Sequence, residues 1–206
     1  MLKRSRIFIL LWASLTLFAY PQDKQSARND LTGKIVGGNV YINSALSMKI
    51  TLPGVWDLLP SEPRPSHPVS DCQGPLCGNP EISLTLQTEA ASSPAYTVYL
   101  SGYKLSGQYL NRDRNPLSKF AETMLAGSLS GSDLVPIGTQ SAIQLDGKPA
   151  YRLLVRKPGE TLPRIIGYVS EANGYVFLLI IAAARNSIMQ PLQSAIEATK
   201  FGRLAH

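Results

Sequence analysis

Imidazole is scarce in this chain: His67 and His206 are the two histidines among 206 residues. His67 sits in the run HPVSDCQGPLC, which also holds Asp71, Cys72 and Cys77, so metal-ligating side chains gather there. Their spacing matches neither a zinc finger nor a zinc ribbon. A redox C-x-x-C motif places two residues between its cysteines, whereas four separate Cys72 from Cys77. In an oxidising compartment such an isolated pair is most simply a disulfide. Gly74-Pro75 between the two supplies the turn that brings their Cβ atoms together. The expectation is a structural Cys72–Cys77 bond, with no metal and no cofactor.

Other catalytic patterns are missing from the sequence. It has no G-x-S-x-G elbow, H-E-x-x-H pair, phosphate loop or Gly-rich dinucleotide fingerprint. A Ser-His-Asp triad would have to recruit His67 from a loop or His206 from the chain end. Fourteen acids are present, but none forms a recognisable catalytic pair. The cationic residues are better placed. Arg152 and Arg156 share one face of an extended segment, Lys157 follows, and Arg164 opens the next segment. Gathered at one end of a sheet, their rigid forked donors suit carboxylate or phosphate recognition, or contact with a partner. The competing reading makes them a solvated sheet edge that discourages strand-to-strand aggregation.

Charge excludes one class of partner. Lys3, Arg4 and Arg6 precede the apolar run Ile7–Tyr20, which is shorter than the roughly 20 residues that span a bilayer. Residues 1–19 therefore read as a secretory signal, cut after Ala19, with an uncleaved membrane anchor as the other reading. That segment carries three cations and no acids, so without it the formal charge falls from +6 to +3. An excess so small argues against nucleic acid and against an anionic membrane surface.

Around these residues the chain reads as one α+β domain. Residues 20–37 form a polar lead-in expected to be mobile. The domain begins with the extended segments Val40-Tyr41-Ile42 and Met48–Leu52 around a polar turn at Asn43-Ser44, closed by Pro53-Gly54 and a packing Trp56. Leu58–Pro80 holds six prolines and is expected to be irregular. Ile82, Leu84 and Leu86 alternate with polar residues, as do Tyr96, Val98 and Leu100. Pro116 opens a helix with Leu117, Phe120 and Ala121 on one side, ending at Gly127 and Gly131. Hairpins are expected at Asp146-Gly147 and Asn173-Gly174. The apolar run Tyr175–Ala184 suits a central strand covered on both faces, and Ser187–Phe201 a final helix.

Hairpin-linked strands with two helices imply a largely antiparallel sheet flanked by helices, an α/β/α sandwich. Tyr41-x-Asn43, Met48-x-Ile50-x-Leu52-Pro53-x-x-Trp56, the mid-chain helix, the Asp146-Gly147 hairpin with Tyr151-Arg152 and the last strand-helix pair resemble the PsbP-like superfamily. The likeness spans about residues 38–203 and rests on a pattern of extended segments. It implies a binding or assembly scaffold without catalysis, and no functional residue of the family maps onto this chain. The expected function is a non-catalytic, exported envelope protein that binds another envelope protein through its sheet or Pro-rich loop. The alternative is a small-ligand carrier, or a hydrolase using carboxylates in a pocket between sheet and helix.

Overall fold

A computed structural model describes residues 31–60, 80–88, 96–104, 116–129, 133–183 and 189–202. Cys72, Cys77, His67, the N-terminal segment 1–19 and most of the Pro-rich stretch lie outside them.

Alternating burial builds the strands. Ile82, Leu84 and Leu86 in β5 (Ile82–Thr88) point to one side, as do Tyr96, Val98 and Leu100 in β6 (Tyr96–Lys104). The two strands pair antiparallel, with Leu84 opposite Leu100. β4 (Trp56–Pro60) closes that edge, where a proline that lacks an N–H is tolerated. Thus the first residues of the stretch expected to be irregular are a strand. β11 (Tyr175–Ala183) pairs with β6 and with β10 (Ile165–Ala172), and β10 with β9 (Lys148–Arg156). β7 (Val135–Pro136) and β8 (Ser141–Leu145) both pair with β9, completing an eight-stranded sheet.

Both expected hairpins form. Asp146 and Gly147 have φ of 49° and 79°, Asn173 and Gly174 of 50° and 78°. Two successive residues at positive φ match the right-handed twist of the strands they join. Asn and Asp tolerate that region better than most residues, and glycine fits without strain.

A second sheet, of four strands, comprises β1 (Lys34–Val36), β2 (Val40–Asn43), β3 (Met48–Thr51) and β12 (Lys200–Phe201). β1 falls inside the stretch read as a lead-in and pairs with β2 through Ile35 and Tyr41. β12 falls inside the stretch read as helix, so the final helix is shorter, Met189–Glu197 (α2). Both strands are too short to show a period of two, which explains why the sequence hides them. Asn43 is fully buried rather than a solvated turn residue. Its Nδ2 donates to Leu31 O and Tyr41 Oη, and its Oδ1 accepts from Leu46 N.

The cores lie on opposite faces of the large sheet. Phe177, Leu179 and Ile181 of β11 join Met48 and Ile50 of β3 and Leu192 and Ile196 of α2. Val176 and Leu178, on the other face, join Leu117, Phe120 and Ala121 of α1 (Pro116–Leu129). α1 runs through Gly127 and ends at Leu129, between the two glycines expected to mark its end. β11 is thus covered on both sides, as its apolar run requires. The architecture is dominated by sheet: one face carries α1, and the other carries the four-stranded sheet with α2 beside it. The plain sandwich gives way because α2 is only nine residues long. Trp56 packs as expected, 2% exposed, with its ring 6.4 Å from that of Tyr96.

Candidate functional site

The cationic residues singled out from sequence all lie where they were expected in the chain, but they are engaged. Arg152 and Arg156 do share a face of β9, the one bearing α2. Arg152 Nη1 reaches Glu197 Oε1 at 3.1 Å, and that oxygen also accepts from Tyr168 Oη and Gln193 Nε2, each at 3.1 Å. Arg156 Nη1 donates to the carbonyl of Glu160. Arg164 grips the Glu160 carboxylate with two donors, Nε at 2.7 Å and Nη2 at 2.5 Å. This bidentate contact raises the Arg164 pKa further. Lys157 lies 3.9 Å from Asp133, both exposed. Arg156 and Arg164 thus meet at Glu160, whereas Arg152 and Lys157 face Glu197 and Asp133. Arg152 anchors the end of α2 to the sheet, and Arg156 and Arg164 close the β9–β10 connection.

A pocket forms elsewhere, at the end of the molecule where three turns meet. The β2–β3 turn brings Leu46 and Ser47, the β8–β9 hairpin Asp146, and the β10–β11 hairpin Asn173, while β12 adds Phe201; they line an open pocket of about 490 Å³. Ser47, Asp146 and Asn173 are the non-glycine residues at positive φ among the described residues. All three lie in hairpin turns; Ser47, at φ 48°, closes the β2–β3 turn, its N–H donating to Ser44 O at 3.0 Å. Asn173 Nδ2 donates to Ser47 Oγ at 2.6 Å and to Ala45 O at 3.1 Å, and Gly202 N donates to Ser47 O at 3.1 Å. Both Asp146 oxygens are occupied, Oδ2 by Phe201 N at 2.8 Å and Oδ1 by Lys200 Nζ at 3.0 Å. The Phe201 N–H first, and the Lys200 ammonium next, hold the Asp146 carboxyl below its ordinary pKa. Lys148 Nζ stands 5.4 Å from the centre of the Phe201 ring.

The other open feature is a face of the large sheet. α1 packs on β9 and β10, and its Phe120 meets the ring of Tyr103 of β6 edge-on at 5.7 Å. Beyond Tyr103, the outward residues of β4, β5 and β6 carry no described element on top of them. Register sets Leu59, Thr85 and Tyr99 in one row across the three strands. Leu59 is 43% exposed and Tyr99 46%. Around them stand Ser83, Gln87, Thr97 and Ser101, all half-buried, with Asp57 as the one charged residue.

Among solved structures, the cyanobacterial PsbP protein (CyanoP) from Synechocystis sp. PCC 6803 superposes with a TM-score of 0.53 at 12% identity, over 82% of this chain and 98% of that one. The fold is PsbP-like. LpqN of Mycobacterium tuberculosis, a protein involved in cell envelope biogenesis, matches at 19% identity over 74% of this chain and 82% of that one, with a TM-score of 0.43. A protein from Bacteroides thetaiotaomicron gives a TM-score of 0.37 at 12% identity, covering 82% of this chain and 50% of that one. No family model and no curated protein matches the sequence.

Two surfaces of this PsbP-like body escaped the sequence reading. The turn pocket had a partial signal in Asp146-Gly147 and Asn173-Gly174, but nothing local says that two hairpin tips meet. The open face follows from strand order: alternation in β5 and β6 gives the outward residues, and the position of α1 decides which of them carry no described element. Among the described residues there is no cluster of metal-ligating side chains, and no helix is long and apolar enough to cross a membrane.

Proposed function

We propose that the chain is a non-catalytic, exported envelope protein that docks another envelope protein on the half of its eight-stranded sheet that no described element covers. The Leu59–Thr85–Tyr99 row carries this reading. Depletion of charge around an exposed tyrosine is the composition of the centre of a protein–protein contact, where aromatic side chains supply area at low entropic cost. Among the described residues the face bears no Lys or Arg, which argues against a nucleic acid or an anionic bilayer as its occupant. Export rests on the basic and apolar N-terminal segment.

The competing reading, a carrier or a carboxylate hydrolase, calls for a pocket between sheet and helix lined by several acids. The turn pocket lies at the hairpin tips instead, and its one acid, Asp146, spends both oxygens on Lys200 and Phe201.

A photo-crosslinking residue placed at position 99 of the exported protein, in its native envelope, tests the proposal. One discrete adduct is expected, missing when the crosslinker sits at exposed Lys49 and lost on Leu59→Lys. Adducts equal at both positions, or indifferent to the charge at 59, would overturn it.

A further inference from the structure

The turn pocket presents hydrogen-bond donors and positive charge, with its acidic group already neutralised. Asn173 spends both amide protons on Ala45 O and Ser47 Oγ, and Asp146 spends both oxygens. Lys148, half-buried in the wall, forms no ion pair among the described residues; its ammonium leans over the Phe201 ring. Lys200 shares the Asp146 carboxylate, but its side chain remains 70% exposed, with donors to spare. Lys200, beside the pocket rather than in its lining, offsets Asp146, which among the described residues leaves Lys148 of the lining as one cation in excess. Leu46 and the Phe201 ring make the wall beside these cations apolar.

A monoanion attached to an apolar group matches every part of this arrangement. Its charge would balance the excess cation, and its apolar portion would lie against Phe201. A phosphate dianion fits less well, because the second charge would face Asp146 without a cation of its own. We propose that the pocket between the β2–β3 turn, the two hairpin tips and β12 binds a carboxylate that carries an adjacent apolar side, with Lys148 as the principal cation. Such a carboxylate has two sources, the free C-terminus of a peptide ending in an apolar residue, or an aliphatic acid. The site is on a different surface from the Tyr99 face, so it stands or falls independently of the docking proposal.

Backbone amide shifts of Ser47, Gly147 and Gly202 in the full exported protein provide the readout. Titration with N-acetyl-leucine and with octanoate is compared with titration by their neutral counterparts, N-acetyl-leucinamide and octanol. At least one acid is expected to move the three amides to saturation, with its neutral counterpart bound roughly tenfold more weakly, as loss of a charge-assisted contact implies. A response to N-acetyl-leucine alone assigns the peptide source, and a response to octanoate alone the aliphatic one. Lys148→Met should abolish the response and Lys148→Arg should retain it; Lys148 lies in neither core, so both variants should fold. Equal response to acid and neutral probe, an undiminished response in Lys148→Met, or none from either acid would overturn the proposal.

Discussion

Asn173 and Ser47 are 126 residues apart in sequence, and the Asn173 amide donates to the Ser47 hydroxyl at 2.6 Å. The contact joins the tip of the β10–β11 hairpin, the centre of the large sheet, to the turn between β2 and β3 of the small one. With the bond from Asn173 Nδ2 to Ala45 O, it fixes how the sheets meet at the pocket end. Asn173→Gly keeps the backbone conformation and removes both bonds, for an expected loss of about 1 kcal/mol. Asn173→Ala should lose about 1 kcal/mol more, because a Cβ without a local hydrogen bond is disfavoured at φ 50°. Urea denaturation of the two variants separates the terms.

Glu197 is the hub that ties α2 to the sheet. Glu197→Ala strips Arg152, Tyr168 and Gln193 of a shared acceptor and is expected to cost about 2 kcal/mol. Arg152→Ser should destabilise through the same contact, and the double variant should cost less than the sum of the two. Additive losses in a double-mutant cycle would show that the pair is uncoupled.

Gly102 lies in β6 with Ile82 directly across the core face. A Cβ there would stand 2.9 Å from Ile82 Cδ1 and 3.0 Å from Ile82 Cβ. Gly102→Ala is therefore expected to cost about 1–3 kcal/mol by overpacking. Ile82→Val removes the Cδ1 clash and leaves the Cβ one, so it should restore part of the loss. Thermal unfolding of the single and double variants checks this.

Alkaline pH should weaken the fold through two buried phenols. Burial holds Tyr41 and Tyr168 neutral well above the ordinary 10.0, and the Glu197 charge adds to the effect at Tyr168. Below pH 10 both phenols are neutral folded or unfolded, and stability is unaffected. Above it the unfolded chain loses their protons while the folded one keeps them, so stability falls by up to about 1.4 kcal/mol per pH unit for each group. Tyr41→Phe should reduce that slope, measured by urea unfolding between pH 9 and 11.

Acid should act through Asp146. Its folded pKa lies below the ordinary 3.8, so its contribution is present above that value and disappears as pH falls through the folded one. Asp146→Asn should lessen the dependence of stability on pH below about 4. An unchanged acid limb in the variant would show that the Phe201 and Lys200 contacts add nothing in solution.

Local chemistry was enough to define the longer elements. A period of two marked β5, β6 and β9, a proline followed by an apolar stripe marked α1, and Asp-Gly and Asn-Gly marked the hairpins, because each signal is complete within a few neighbouring residues. The continuous apolar run 175–183 likewise announced a strand covered on both faces. What covers it was settled only in three dimensions: β1 and β12, three and two residues long, carry no period and exist because β2 and β3 offer them edges. The arginines of β9 were placed on the correct face, but whether a guanidinium stays free depends on acids distant in sequence, and Glu197 comes 45 residues after Arg152. The turn pocket and the Tyr99 face are products of tertiary structure for the same reason, since each gathers residues whose proximity is fixed by strand order and sheet packing rather than by spacing along the chain.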